Sequence, residues 1–157
     1  EITEGLCRVS PEDAEYFRKN AKEYIEELKS LDRDIENTVK EAKRDKIAFG
    51  GLFAYAYFID RYDLKYVTAY SSCGEGAEPS VAQIKSVVDT INSENLPVVF
   101  YQELSEGKVA NMIGQDTGVK TLILHTVHNV SNGDLEKDVT YISIMRENLD
   151  NLKEALN

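Results

Sequence analysis

The sequence predicts an α/β domain of three layers: a four-stranded parallel sheet in the order 2-1-3-4, flanked by helices and preceded by a long helix. Three observations carry this. The apolar period changes near residue 46, from helical spacing to short continuous runs. Such runs recur four times, each followed by a stretch with helical spacing or helix-start signals. Capping residues and glycines mark the junctions. Strands alternating with helices of 10–15 residues imply parallel pairing through right-handed crossovers. With four strands, the simplest doubly wound order is 2-1-3-4, and the strand carboxyl ends then gather at one edge.

Ser10-Pro11-Glu12-Asp13 reads as a helix start: Ser10 caps, Pro11 suits the first helical position, and the acids suit the dipole. Ala14, Phe17, Ala21, Tyr24, Ile25, Leu28 and Leu31 then form one apolar face, continued over 32–43 by Ile35 and Val39. Lys46-Ile47-Ala48-Phe49 is the first strand, closed by Gly50-Gly51. An aromatic-rich helix is expected over 52–62, a second strand over 65–70, and a polar loop over 71–79. Ser80 and Gln83 have capping-box spacing and open a helix with Ile84, Val87, Val88 and Ile91 on one face. The third strand is 97–101. A helix over 105–117 ends at Gly118, a good C-cap. The fourth strand is 119–124. After a loop with Asn132-Gly133, the last helix puts Val139, Ile142, Met145, Leu149, Leu152 and Leu156 on one stripe.

Length and composition bound the function. A chain of 157 residues is one domain of ordinary size, and no run approaches the ~20 apolar residues of a membrane span. The net charge of −10 argues against nucleic acid and anionic membranes, and is compatible with cations. Cys7 and Cys73 form no CxxC, so a zinc knuckle is excluded, and spacing alone does not decide whether they pair.

The predicted edge collects Gly50-Gly51, Ser71-Ser72-Cys73, Gln102-Glu103 and His125-Thr126-Val127-His128. No GxGxxG, Walker lysine or GxSxG elbow is present. The chain therefore reads as a non-enzyme, with a small hydrolase built on Cys73 or a serine with a histidine as the rival. Glu78 before its helix reads as charge stabilisation of the N-terminus. The two histidines of the chain, His125 and His128, follow an apolar run directly, and imidazoles that are largely neutral at pH 7 are metal donors. Spacing alone does not make both rings face one ion.

Five stretches in order carry a resemblance: Tyr62-Asp63-Leu64-Lys65-Tyr66-Val67, Ala77-Glu78-Pro79-Ser80, Val99-Phe100-Tyr101-Gln102-Glu103-Leu104, Asp116-Thr117-Gly118-Val119-Lys120, and Thr140-Tyr141-Ile142-Ser143-Ile144-Met145 with Asn148-Leu149. Together they resemble the C-terminal lobe of the zinc/manganese-class solute-binding lipoproteins of bacterial ABC importers, over residues 8–157. His125-Thr126-Val127-His128-Asn129-Val130-Ser131 is similar to the zinc-type branch. The resemblance implies two α/β lobes joined by a rigid helix, with the metal held between them. On that basis residues 1–9 are the tail of the connecting helix and residues 10–157 a single C-terminal metal-binding lobe. The partners implied are the metal ion, the missing N-terminal lobe with its two ligands, and an ABC permease. It further implies a monomer, lipid-anchored outside the cell, in a class with links to cell adhesion. The cargo would be zinc, with manganese second; a non-metal solute on the same scaffold is the alternative. The family's C-lobe ligand positions fall on Leu52 and Val139, with Asp138 beside the latter, and its acid after the third strand falls on Gln102, with Glu103 beside it. The expected metal ligands are therefore His125 and His128, helped by Glu103 and Asp138, or Asp134.

Overall fold

The computed structural model describes residues 1–70 and 78–157. The elements run α1 (Ile2–Val9), a 3-10 turn (Pro11–Asp13), α2 (Ala14–Glu41), β1 (Lys46–Phe49), α3 (Ala56–Arg61), β2 (Lys65–Thr68), α4 (Val81–Glu94), β3 (Val98–Tyr101), α5 (Lys108–Thr117), β4 (Lys120–Ile123), α6 (Asn132–Leu135) and α7 (Tyr141–Leu156). The sheet is parallel and ordered β2-β1-β3-β4, as the alternation predicts.

Its central strands are short apolar runs because both faces are covered. Ile47, Phe49, Val98 and Phe100 face a cluster with Tyr55 and Ile59 from the α3 region and Leu152 and Leu156 of α7. Ala48 and Val99 face the other way, onto Val87 and Ile91 of α4 and Ala110 and Ile113 of α5. Outside the first layer, Leu31 and Ile35 of α2 pack on Ile142, Met145 and Leu149 of α7. The edge strands β2 and β4 are only part-buried.

Several junctions follow local chemistry. Ser80 and Gln83 form the capping box, and Gly118 ends α5 in the left-handed region at φ 76°. Other boundaries differ from the sequence reading. The helical stretch expected over 32–43 continues α2 without a break and ends at Glu41. Ser10 does not cap it; its hydroxyl donates to the carboxylates of Glu12 and Asp13, and α2 opens after the 3-10 turn. The apolar stripe of α2 splits: Leu31 and Ile35 are buried, whereas Tyr24 and Ile25 are exposed. The helix expected over 52–62 shrinks to Ala56–Arg61. Phe53 and Tyr55 turn their rings onto Phe49 instead, with centroids 5.3 and 4.9 Å away, so aromatic burial overrides helix propensity. The helix expected from 105 starts at Lys108, after Leu104 (φ 55°) and Gly107 (φ 59°), left-handed positions that a helix cannot include. Asn132 and Gly133 lie in the single turn α6, not in a loop. Val139 precedes α7, which the Thr140–Ser143 capping box opens. Among the described residues no helix is long and apolar enough to cross a membrane.

Candidate functional site

At the carboxyl edge the backbone after β1 and the backbone after β4 meet. Gly50 lets α5 approach: a Cβ there would lie 2.5 Å from Ala110 Cα. Tyr55, four residues beyond Gly51, donates its hydroxyl to the carbonyl of Leu124. Burial pushes the Tyr55 phenol up, reinforced by the Glu103 charge. Ser71-Ser72-Cys73, expected at this edge after β2, lies outside the described residues, as does any pairing of Cys73; Cys7 is buried and its thiol donates to the Ala14 carbonyl.

The stretch after β4 is held by side chains from two other elements. Asn148 of α7, 4% exposed, accepts from the His125 N–H at 2.7 Å and donates to the His125 carbonyl at 2.8 Å. Glu103, just beyond β3, accepts from the Thr126 N–H at 2.8 Å with one oxygen and from the Thr126 hydroxyl with the other. The same hydroxyl oxygen accepts from the His128 N–H at 3.2 Å. Burial alone would raise the Glu103 carboxyl, but these bonds from Thr126, with a contribution from His125, hold it below the usual carboxylate range.

The two imidazoles are placed differently. The His125 side chain is 16% exposed, and its Nδ1 lies 3.8 Å from Glu103 Oε2. That Nδ1 accepts from the Val127 N–H at 2.9 Å, which puts the lone pair there and the proton of the neutral ring on Nε2. His128 is exposed, with Nδ1 3.2 Å from the Asn129 amide nitrogen. Val127 between them sits at φ 59°, a strained value for a β-branched residue. His128 lines a cavity of ≈ 440 Å³ with Leu52, Gln102 and Glu103. His125 lines another of ≈ 310 Å³ with Asp134, Val139 and Glu147, which Glu103 also borders.

The structure thus brings Glu103 and His125 together, places His128 in the adjoining cavity, and puts Asp134 on the His125 side. Asp134 is held below the usual carboxylate range, first by the Ser131 hydroxyl at 2.6 Å. Asp138 is exposed and lines neither cavity. Leu52 and Val139 border the cavities without a donor atom. Gln102 directs a buried Oε1 without a hydrogen-bond partner toward Gly51. Among the described residues no three His, Cys, Asp or Glu side chains are grouped as a metal shell. Sequence reasoning missed Asn148, Tyr55 and Thr126. Only Asn148 carried a signal, a polar residue next to Leu149 on the apolar stripe of the last helix.

The chain has relatives among known proteins over nearly its whole length. The chain is 32% identical over 155 residues to the high-affinity zinc uptake system protein ZnuA of Bacillus subtilis, covering 99% of this chain and 48% of that protein. Among solved structures, the metal-dependent lipoprotein YcdH from Bacillus subtilis superposes with a TM-score of 0.82 at 32% identity, over 99% of this chain and 57% of that one. The Zn(II)-bound ZnuA-like domain of Streptococcus pneumoniae AdcA gives 0.77 at 29% identity, over 99% and 57%. The chain spans about half the length of these relatives. Residues 1–155 match the family described as ZnuA, zinc-uptake complex component A, periplasmic, and the chain belongs to that family.

Proposed function

We propose that this chain is the C-terminal lobe of the solute-binding protein of a zinc ABC importer, lipid-anchored outside the cell, and that it supplies ligands to a zinc ion held against a second lobe. Residues 1–9 would be the end of the helix joining the lobes, and the permease would receive the ion. This is a transport role, not a catalytic one. The observation that carries the reading is the His125–His128 stretch, which leaves the sheet at its carboxyl edge in a chain of the zinc-uptake family.

Chemically, imidazole nitrogen suits zinc over manganese, which favours oxygen donors. The His125 ring carries its proton on Nε2, so ligation through that atom requires the other tautomer, with the proton on Nδ1 and the Val127 N–H released. His128 is the accessible ring. For both rings to reach one ion, the backbone must turn at Val127, whose strained φ is the natural pivot. Of the two carboxylates the sequence offers, Glu103 borders both cavities beside the rings, and Asp138 would have to swing in from the surface to ligate.

Zinc titration of the full-length protein by chelator competition tests this. Wild type should bind submicromolar zinc, and His125→Ala and His128→Ala should each weaken binding by about tenfold or more. Unchanged dissociation constants in both variants would remove the pair from the site. A second reading, a non-metal solute on the same scaffold, is favoured by the donor-free Leu52 and Val139. Absence of zinc binding by the intact wild type would select it.

A further inference from the structure

We infer that Glu103 serves this edge as a positioning residue, setting the loop of His125 and His128 through Thr126, and not as a ligand to the ion. The inference rests on the metal-site reading above for its functional meaning, though its structural content stands without it.

β3 and β4 are paired neighbours, with Tyr101 opposite Ile123, so the segments that follow them emerge side by side. Glu103 leaves the first segment and Thr126 the second. Thr126 presents two donors, its N–H and its hydroxyl, and a carboxylate is the side chain that accepts both at once. Each oxygen of Glu103 takes one of them. The side chain is only 10% exposed. Charge-assisted bonds of this kind are about twice as strong as neutral ones.

The connection continues past Thr126. Its hydroxyl oxygen also accepts from the His128 N–H, so one carboxylate orders the backbone on both sides of Val127. Strained backbone persists only where its surroundings over-determine it. Here the surroundings are Glu103 on Thr126, Thr126 on His128, and the His125 ring on the Val127 N–H. Without Glu103, Val127 is free to relax to negative φ, and His128 leaves its cavity wall. Each oxygen keeps a second lone pair, but both already hold a Thr126 donor and the side chain is only 10% exposed, so its committed contacts are those of a support for the loop.

Substitution separates the two roles. Glu103→Gln keeps an acceptor for the Thr126 N–H and can donate its amide to the hydroxyl oxygen, so it preserves the connection but gives up the charge. Glu103→Ala removes both. Thr126→Val removes the hydroxyl with little change of shape, and Thr126→Ser restores it. Two readouts are needed: zinc affinity of the full-length protein, and hydrogen exchange of the Thr126 and His128 amides in the metal-free protein. Positioning predicts that Glu103→Ala and Thr126→Val weaken zinc binding by about tenfold or more and speed His128 amide exchange by about tenfold. Glu103→Gln and Thr126→Ser should stay within about threefold of wild type in both. A Glu103→Gln protein with wild-type exchange but zinc binding about tenfold weaker would make Glu103 a ligand and overturn the inference. So would unchanged His128 exchange in Thr126→Val. If wild type binds no zinc, the importer reading fails separately, and the exchange pattern alone decides whether Glu103 positions the loop.

Discussion

The segment 50–55 after β1 and the segment 124–129 after β4 lie against one another, yet they are held by different forces. The first is held mainly by shape: Gly50 sits under Ala110, and the rings of Phe53 and Tyr55 pack on Phe49. The second is held by direction: Asn148, Glu103 and Thr126 read its backbone N–H and C=O groups one by one. Close packing fixes a turn that presents no chemistry, and Leu52 in it has no donor atom. Hydrogen bonds to the main chain fix a loop while leaving its rings available, and both histidines are there. The first segment carries Leu52 at this edge, and the imidazoles stand in the second.

Substitutions can break this contrast, and the largest effect is expected in the shape-held segment. Gly50→Ala would drive a methyl into the backbone of α5, 2.5 Å from Ala110 Cα and 2.7 Å from its nitrogen. Overpacking against main chain cannot relax by a rotamer change, so a loss of about 3 kcal/mol is expected in urea unfolding. A loss under about 1 kcal/mol would mean that α5 yields and shape is not the constraint. Next comes Asn148→Leu in the direction-held segment. It leaves the His125 N–H and carbonyl unpaired beside α7 and should cost about 2 kcal/mol, with a second penalty in zinc affinity that Gly50→Ala in its folded fraction does not show.

Tyr55 joins the two segments and gives the smallest of the three effects. Tyr55→Phe removes its bond to the Leu124 carbonyl and should cost about 1 kcal/mol at neutral pH. Its pH dependence has a definite sign. Burial raises the folded-state phenol above its ordinary 10.0, so the folded chain holds the proton after the unfolded chain has lost it. The stabilisation is complete below pH 10.0 and is lost as pH rises from there through the folded value. Tyr62, raised by burial and by its hydrogen bond to Asp32, acts the same way. Melts between about pH 9 and about pH 11 should show wild type losing more stability than Tyr55→Phe. Parallel losses would assign the alkaline sensitivity to Tyr62 and other groups.

Much of the architecture was legible because its causes are local or repetitive. The strand 46–49 was read without error, since a run buried on both faces is apolar at every position and glycines close it. The Ser80–Gln83 capping box and the Gly118 C-cap were legible for a similar reason: each solves a helix-end problem with residues three or so apart. The last helix was legible from Ile142 to Leu156 because its buried stripe keeps one period. Segment 52–55 was not, because Phe53 and Tyr55 suit a helix as well as an aromatic cluster, and only the presence of Phe49 chooses between them.

The candidate site divides along the same line. Composition and position alone put His125, His128 and Glu103 at the carboxyl edge, because strand ends follow from topology and topology from the alternation of periods. What those groups are free to do was decided by contacts between distant residues. Glu103 meets Thr126, and Asn148 meets His125, across 23 residues, and Tyr55 meets Leu124 across 69. A side chain's chemistry depends on which lone pairs and protons remain after its neighbours have taken theirs. Residue type names the donors and acceptors of Glu103 and His125; only the tertiary structure assigns the partners that spend them.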